Sequence, residues 1–162
     1  MIEVPKFNGT KEENYALCLK QIKAMINGEP SIIANLSNVS SLLNQALTEI
    51  NWVGFYLYEE TSNQLVLGPF QGLPACIRIP LGKGVCGVAA ESGKSQIVAN
   101  VNEFDGHIAC DAKTNSEIVI PLFKNGQRVG VLDIDSPNMN RFDETDQKWL
   151  EKVCELLVNE MP

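Results

Sequence analysis

The spacing of apolar residues changes period twice along this 162-residue chain, and that change limits the folds open to it. Near the start, apolar side chains recur at helical intervals. Tyr15, Leu19, Ile22 and Met25/Ile26 follow a capping-box string, Thr10-Lys-Glu-Glu13, and stop at Asn27-Gly28. A second stripe opens after Glu29-Pro30-Ser31 and runs through Ile32/Ile33, Leu36, Val39, Leu43 and Leu47/Ile50. From Trp52 onward the pattern becomes one of short β-rich runs. It returns to helical spacing after Asp143, with Trp149/Leu150, Val153 and Leu156/Leu157 as the stripe. The predicted order is α-α-β-β-β-(α)-β-β-β-α. Clustered strands joined by hairpin-length turns predict an α+β fold. Its mainly antiparallel central sheet is flanked by N- and C-terminal helices.

Within the middle, residues 52–58 read as an aromatic strand and 65–67 as its hairpin partner, ended by Gly68-Pro69. Short strands follow at 77–79 and 96–99, separated by about two helical turns around 85–91. Residues 100–115 form a long loop, a length that is often functional in a compact domain. Strands at 118–123 and 129–134 meet at Asn125-Gly126, a hairpin signal. No repeat, linker or low-complexity segment divides the chain, so residues 1–162 are expected to form a single domain.

Net charge is −7, with no basic tract, which disfavours nucleic acid and anionic membranes as partners. No apolar run approaches the ~18 residues of a membrane span. No apolar segment of a signal peptide is visible at the start, so the cytoplasm is the default compartment. Five cysteines, an odd number, then imply reduced thiols rather than a disulfide framework.

Cys18 and Cys154 fall beside helical apolar stripes and read as small core residues. Cys76, Cys86 and Cys110 stand in Gly/Pro-rich or loop contexts and suggest reactivity. With His107 they could form a Cys₃His zinc set, but spacings of 10 and 24 do not make metal knuckles. Redox chemistry fits better, with one thiolate attacking and a second loop thiol resolving the product as a disulfide. No metal and no cofactor are expected. Gly82-Lys-Gly84-Val-Cys-Gly87 spells a dinucleotide fingerprint, yet barely two helical turns fit before Gly93. A tight turn with close backbone packing is the better reading. His107, as a cation three residues before Cys110, would favour a thiolate, and Asp111 would oppose it.

Three acids interrupt apolar strands: Glu117, Asp133 and Asp135. A period of two puts both aspartates on one sheet face. Whether Glu117 joins them depends on the hairpin. A two-residue type I′ Asn125-Gly126 loop pairs Lys124 with Gln127 and turns Glu117 to the other face. A three-residue loop, Lys124-Asn125-Gly126, sets Glu117 opposite Asp133 and Val119 opposite Val131. The three-residue loop, or a loop or bulge of the same parity, is therefore expected, with Gly126 at positive φ in the three-residue case.

Six strings carry a family likeness: Asn51-Trp52-Val-Gly-Phe-Tyr56, Leu65-Val-Leu-Gly-Pro-Phe-Gln-Gly72, Gly82-Lys-Gly-Val-Cys86-Gly87, Phe104-Asp-Gly-His-Ile-Ala-Cys110-Asp111, Asn115-Ser-Glu117-Ile-Val-Ile-Pro121 and Gly130-Val-Leu-Asp-Ile-Asp135-Ser136. Together they resemble the free methionine-(R)-sulfoxide reductases, single-domain enzymes of the GAF fold, over about residues 10–158. The resemblance implies that Cys110 attacks the sulfoxide, Cys76 resolves the product, and Cys86 has a supporting redox role. It implies Trp52 and Tyr56 as the aromatic wall of a substrate pocket, and Glu117, Asp133 and Asp135 as its carboxylates. It further implies a thioredoxin-type reductant and a homodimer. A non-enzymatic GAF sensor is the rival reading. Such a sensor normally serves an output domain, for which 162 residues leave no room.

Overall fold

The computed structural model describes residues 2–107 and 111–162. Helix α1 spans Lys11–Ile26, and its Thr10 cap and Glu13 close the capping box read from the sequence. Helix α2 spans Ile32–Ala46 behind its Ser31 cap. It stops short of the expected Leu47/Ile50 turn because Leu47 is extended and Glu49 takes a left-handed φ of 59°. Leu47 and Ile50 still pack on the core, from an extended segment rather than a helix.

Six strands follow: β1 Trp52–Glu59, β2 Gln64–Gln71, β3 Arg78–Pro80, β4 Gln96–Val98, β5 Ser116–Lys124 and β6 Gln127–Ser136. Helix α3, Gly84–Ser92, lies between β3 and β4. A short 3₁₀ turn, Val101–Glu103, opens the long loop, and helix α4, Glu144–Glu160, closes the chain. The sheet order is β3-β2-β1-β6-β5-β4, with every neighbouring pair antiparallel. Strand β2 runs on through Gly68-Pro69, where the sequence suggested an end. Gly54 pairs with Phe70 and Tyr56 with Leu67, so two residues of β2 face the single Phe55. A bulge is one of the few places in a sheet that tolerates proline.

The sheet separates two cores. On one face Phe55, Ile118, Ile120, Leu132 and Ile134 pack under α1, α2 and α4. On the other, Trp52, Tyr56, Val119 and Val131 meet Val85, Ala89 and Ala90 of α3.

The hairpin that decides the position of the acids differs from the three-residue expectation. Lys124 pairs with Gln127, leaving a two-residue loop with Asn125 at φ 51° and Gly126 at φ 76°. Those signs are the ones a type I′ turn requires. Phe123 then pairs with Arg128 but Leu122 with Gly130, so Val129 is an extra residue on β6. This bulge restores the parity that the turn alone would lose. Glu117 pairs with Asp135 rather than Asp133, Val119 faces Asp133, and all three acids share the α3 face.

Candidate active site

The central strand β6 lies between β1 and β5 and carries Asp133 and Asp135 two residues apart. On one side Trp52 pairs with Asp135 and Gly54 with Asp133; on the other Glu117 pairs with Asp135. Above them the first turn of α3 brings in Cys86, and loops bring His107, Asp111 and residues 73–75. These groups line one cleft that opens to solvent. The Gly-rich string is a tight turn, as its poor match to a nucleotide loop suggested. Gly82 N–H donates to the Gly87 carbonyl at 2.9 Å, and a Cβ on Gly87 would sit 2.5 Å from the Pro80 carbonyl oxygen.

The aromatic wall does two jobs. Trp52 and Tyr56 are buried and stack at 5.9 Å between ring centroids, and Phe70 stacks on Trp52 at 5.2 Å. Their polar ends hold the 73–76 segment: Trp52 Nε1 donates to the Leu73 carbonyl at 3.1 Å, and Tyr56 Oη to the Cys76 carbonyl at 3.0 Å. Cys76 itself is half-buried and disulfide-bonded. Cys110 lies outside the described residues. Cys18 and Cys154 sit in the helix-side core. Burial pushes the Cys18 thiol up to about 12 and raises that of Cys154 as well.

Glu117 and Asp133 are buried, at 7% and 5% exposure, and Asp135 is half-buried. Burial pushes the carboxyls of Glu117 and Asp135 well above the ordinary range, and repulsion from Asp133 adds to both shifts. Burial also raises Asp133, but hydrogen bonds from Glu117 and Asp135 bring it part of the way back. The environment therefore separates the three. Asp133 is the member placed to carry charge, and Glu117 and Asp135 are the members placed to hold protons. Burial, then the neighbouring Asp133 and Glu117, raise the Cys86 thiol well above its usual value, so it stays neutral. Burial lowers His107, and Asp133 only partly opposes this, so the imidazole at the cleft is neutral rather than cationic.

Three buried acceptors have no partner among the described residues: Oδ1 of Asp133, of Asp135 and of Asn51. An unpaired buried polar atom is costly, so the two in the cleft mark where a donor belongs. Asn51 opens one of the family-like strings without an assigned role. Its Nδ2 donates to Asp111 Oδ2 at 2.9 Å and to Thr114 Oγ1 at 3.2 Å, tying the long loop to the start of β1. The sequence signal was a polar residue directly before an aromatic strand, and nothing local names partners about 60 positions away.

Residues 34–159 match the GAF domain family. The chain is 51% identical to free methionine-R-sulfoxide reductase of Escherichia coli, over 88% of this chain and 86% of that protein. It belongs to the free methionine-R-sulfoxide reductase family. A Saccharomyces cerevisiae protein of that name is 45% identical over 93% of this chain and 87% of its own length. A Neisseria meningitidis free methionine-R-sulfoxide reductase, solved in complex with its substrate, superposes with a TM-score of 0.95. It is 41% identical and covers 99% of this chain and 95% of its own. Membership of the free methionine-R-sulfoxide reductase family agrees with what the site contains: a disulfide-bonded Cys76, the buried Cys86 thiol, three clustered acids and an aromatic wall.

Proposed function

We propose that this chain reduces free methionine-(R)-sulfoxide to methionine by cysteine chemistry. The observation that carries the reading is the acid trio, with acceptors unpaired among the described residues, beneath the Trp52 wall. A sulfoxide sulfur becomes a good electrophile once its oxygen is protonated. Glu117 and Asp135, held protonated by burial, are the proton donors in reach of the cleft. The free amino acid carries an ammonium, and the unpartnered Oδ1 atoms of Asp133 and Asp135 accept its hydrogens. Its methyl group packs on Trp52. Its carboxylate meets the first turn of α3, where Lys83, Gly84 and Val85 line the cleft and no side chain caps the helix.

Cys86 is held neutral, so attack falls to Cys110, the residue that matches the family's nucleophile. Its thiolate takes the sulfoxide oxygen, which releases methionine and leaves a sulfenic acid. The Cys76 thiol displaces hydroxide from that sulfur, giving a disulfide and water. An external dithiol of the thioredoxin type reduces the disulfide and is itself oxidised to one. The whole chain acts as one GAF domain, as a homodimer in the cytoplasm. Among the described residues no helix is long and apolar enough to cross a membrane.

The test is turnover on the free R-sulfoxide, with the S epimer and the N-acetylated R-sulfoxide alongside. An acylated amine leaves the acids unpaired, so N-acetylation is expected to lower kcat/KM by about 100-fold or more, roughly 3 kcal/mol. Equal efficiency on free and N-acetylated substrate overturns the reading.

A further inference from the structure

The cysteine spacing argues against a zinc knuckle, but folding assembles a different donor set. The Cys86 Sγ and one carboxylate oxygen from each of Glu117 and Asp133 lie within 4.8 Å of one another, and all three residues are buried. Around a tetrahedral Zn²⁺, with metal–donor bonds of about 2.0–2.3 Å, neighbouring donors stand roughly 3.5 Å apart. Small rotations of these side chains close that gap.

A second observation points to a ligand at the same place. Asp133 is 5% exposed, lines the cleft, and has an Oδ1 without a partner among the described residues. Asp135 Oδ1, also buried and without a partner among the described residues, lines the same cleft and offers a fourth donor.

We propose that Cys86, Glu117 and Asp133, with Asp135 or a water as fourth ligand, form a site for a thiophilic divalent cation of the Zn²⁺ class. Mg²⁺ and Ca²⁺ require six or more oxygen ligands, and this pocket offers a sulfur and a few oxygens. Binding is a ligand exchange without electron transfer. The Cys86 proton and the carboxyl protons leave to solvent, and Zn²⁺ takes their place. The cation occupies the ground that the substrate ammonium needs. It is therefore a competitive inhibitor, a consequence that rests on the reading of the previous subsection, whereas the binding itself does not.

The experiment uses the full chain in its oxidised form, in which Cys76 is disulfide-bonded and so not a free donor. Zn²⁺ is titrated against a chromophoric chelator, and Co²⁺ is added as a spectroscopic probe. One equivalent of metal is expected, with a thiolate-to-cobalt charge-transfer band. Cys86→Ser should abolish the band and weaken Zn²⁺ binding by at least about 100-fold, since even outer-shell partners are worth about 10–100-fold. Asp133→Asn should weaken binding while keeping the band. Cys154→Ser should change neither, because that thiol lies in the other core. Absence of the band in the wild-type protein overturns the proposal even if a variant fails to fold. An unchanged band in Cys86→Ser overturns it as well. If turnover on the sulfoxide is absent but the band is present, the functional reading fails and the metal site stands.

Discussion

Asp146, at 0% exposure, and Asp133, at 5%, are both sealed from water, yet their surroundings differ in sign. Asp146 lies where α4 meets α1. Lys11 Nζ donates to it at 2.7 Å, Arg141 Nη1 stands 3.6 Å away, the Tyr15 hydroxyl donates to it, and the Asp143 backbone N–H does so at 2.9 Å. Asp133 has acids for neighbours, a neutral thiol above it, and an oxygen with no partner. The first carboxylate is complete within the chain and fastens two helices together. The second has an oxygen with no donor among the described residues. Burial alone does not separate a structural acid from a functional one; the tally of donors around it does.

The largest effect should come from breaking the complete acid. Asp146→Ala strands Arg141 and the Tyr15 hydroxyl. We expect a loss of about 3 kcal/mol, the low end for a broken buried pair because Lys11 is 38% exposed and rehydrates. Urea unfolding measures it, and kcat/KM per folded molecule should stay at the wild-type value. Equal damage to activity and stability would erase the distinction between the two sites.

Asp133→Asn should behave in the opposite way. We expect kcat/KM on the free sulfoxide to fall about 100-fold, close to 2.7 kcal/mol. Thermal unfolding should show a melting temperature equal to or above that of the wild type, since a buried, poorly compensated charge is removed. A drop in stability as large as that of Asp146→Ala would place Asp133 among the structural acids.

A smaller effect separates the two regions by pH. Glu117 has a folded pKa raised above its unfolded value, chiefly by burial. The folded state then holds a proton that the unfolded state has lost. Its favourable contribution is present below the ordinary carboxylate pKa of about 4.3 and is lost as pH rises toward the folded value. Over that window each pH unit costs up to about 1.4 kcal/mol per such group. Glu117→Gln should therefore flatten the fall in stability, and its advantage over wild type should grow from pH 5 to pH 8. Denaturant midpoints along that series that run parallel to the wild type's would count against a protonated Glu117.

The smallest expected change is at the aromatic wall. Tyr56→Phe removes one hydrogen bond to the Cys76 carbonyl, worth about 1 kcal/mol. We expect slower reduction of the disulfide with little change in single-turnover methionine release. Rapid-quench assays of the two steps check this, and a loss confined to methionine release would contradict it.

Much of this was legible because it is local. The Thr10 capping box and the hairpin signal at Asn125-Gly126 each depend on residues within a few positions of one another, although the loop has two residues where three were expected. What escaped depends on distant partners. The end of α2 is set by how the 47–51 segment meets the sheet, where Asn51 N–H donates to the Asp135 carbonyl at 2.9 Å. Strand β2 passes Gly68-Pro69 because β1 lies alongside it. The acid trio was recognised by type and parity, yet its pairing was misplaced by two residues. A bulge at Val129 reflects how β6 twists between two neighbours, and no short string encodes that.

The unpaired Val129 gives the hairpin a rule of inheritance. Loss or gain of a single codon within the paired stretches of β5 or β6 between Glu117 and Asp133 would rotate Glu117 out of the cleft and drive it into the oily side of the sheet. Loss or gain of two would leave every side chain on its own face. Length drift in these paired strands can therefore proceed only in even steps, or in paired events that cancel, whereas the turn itself can lengthen freely. A lineage that carries an odd change here has either rebuilt a bulge elsewhere in the strand pair or given up its acids.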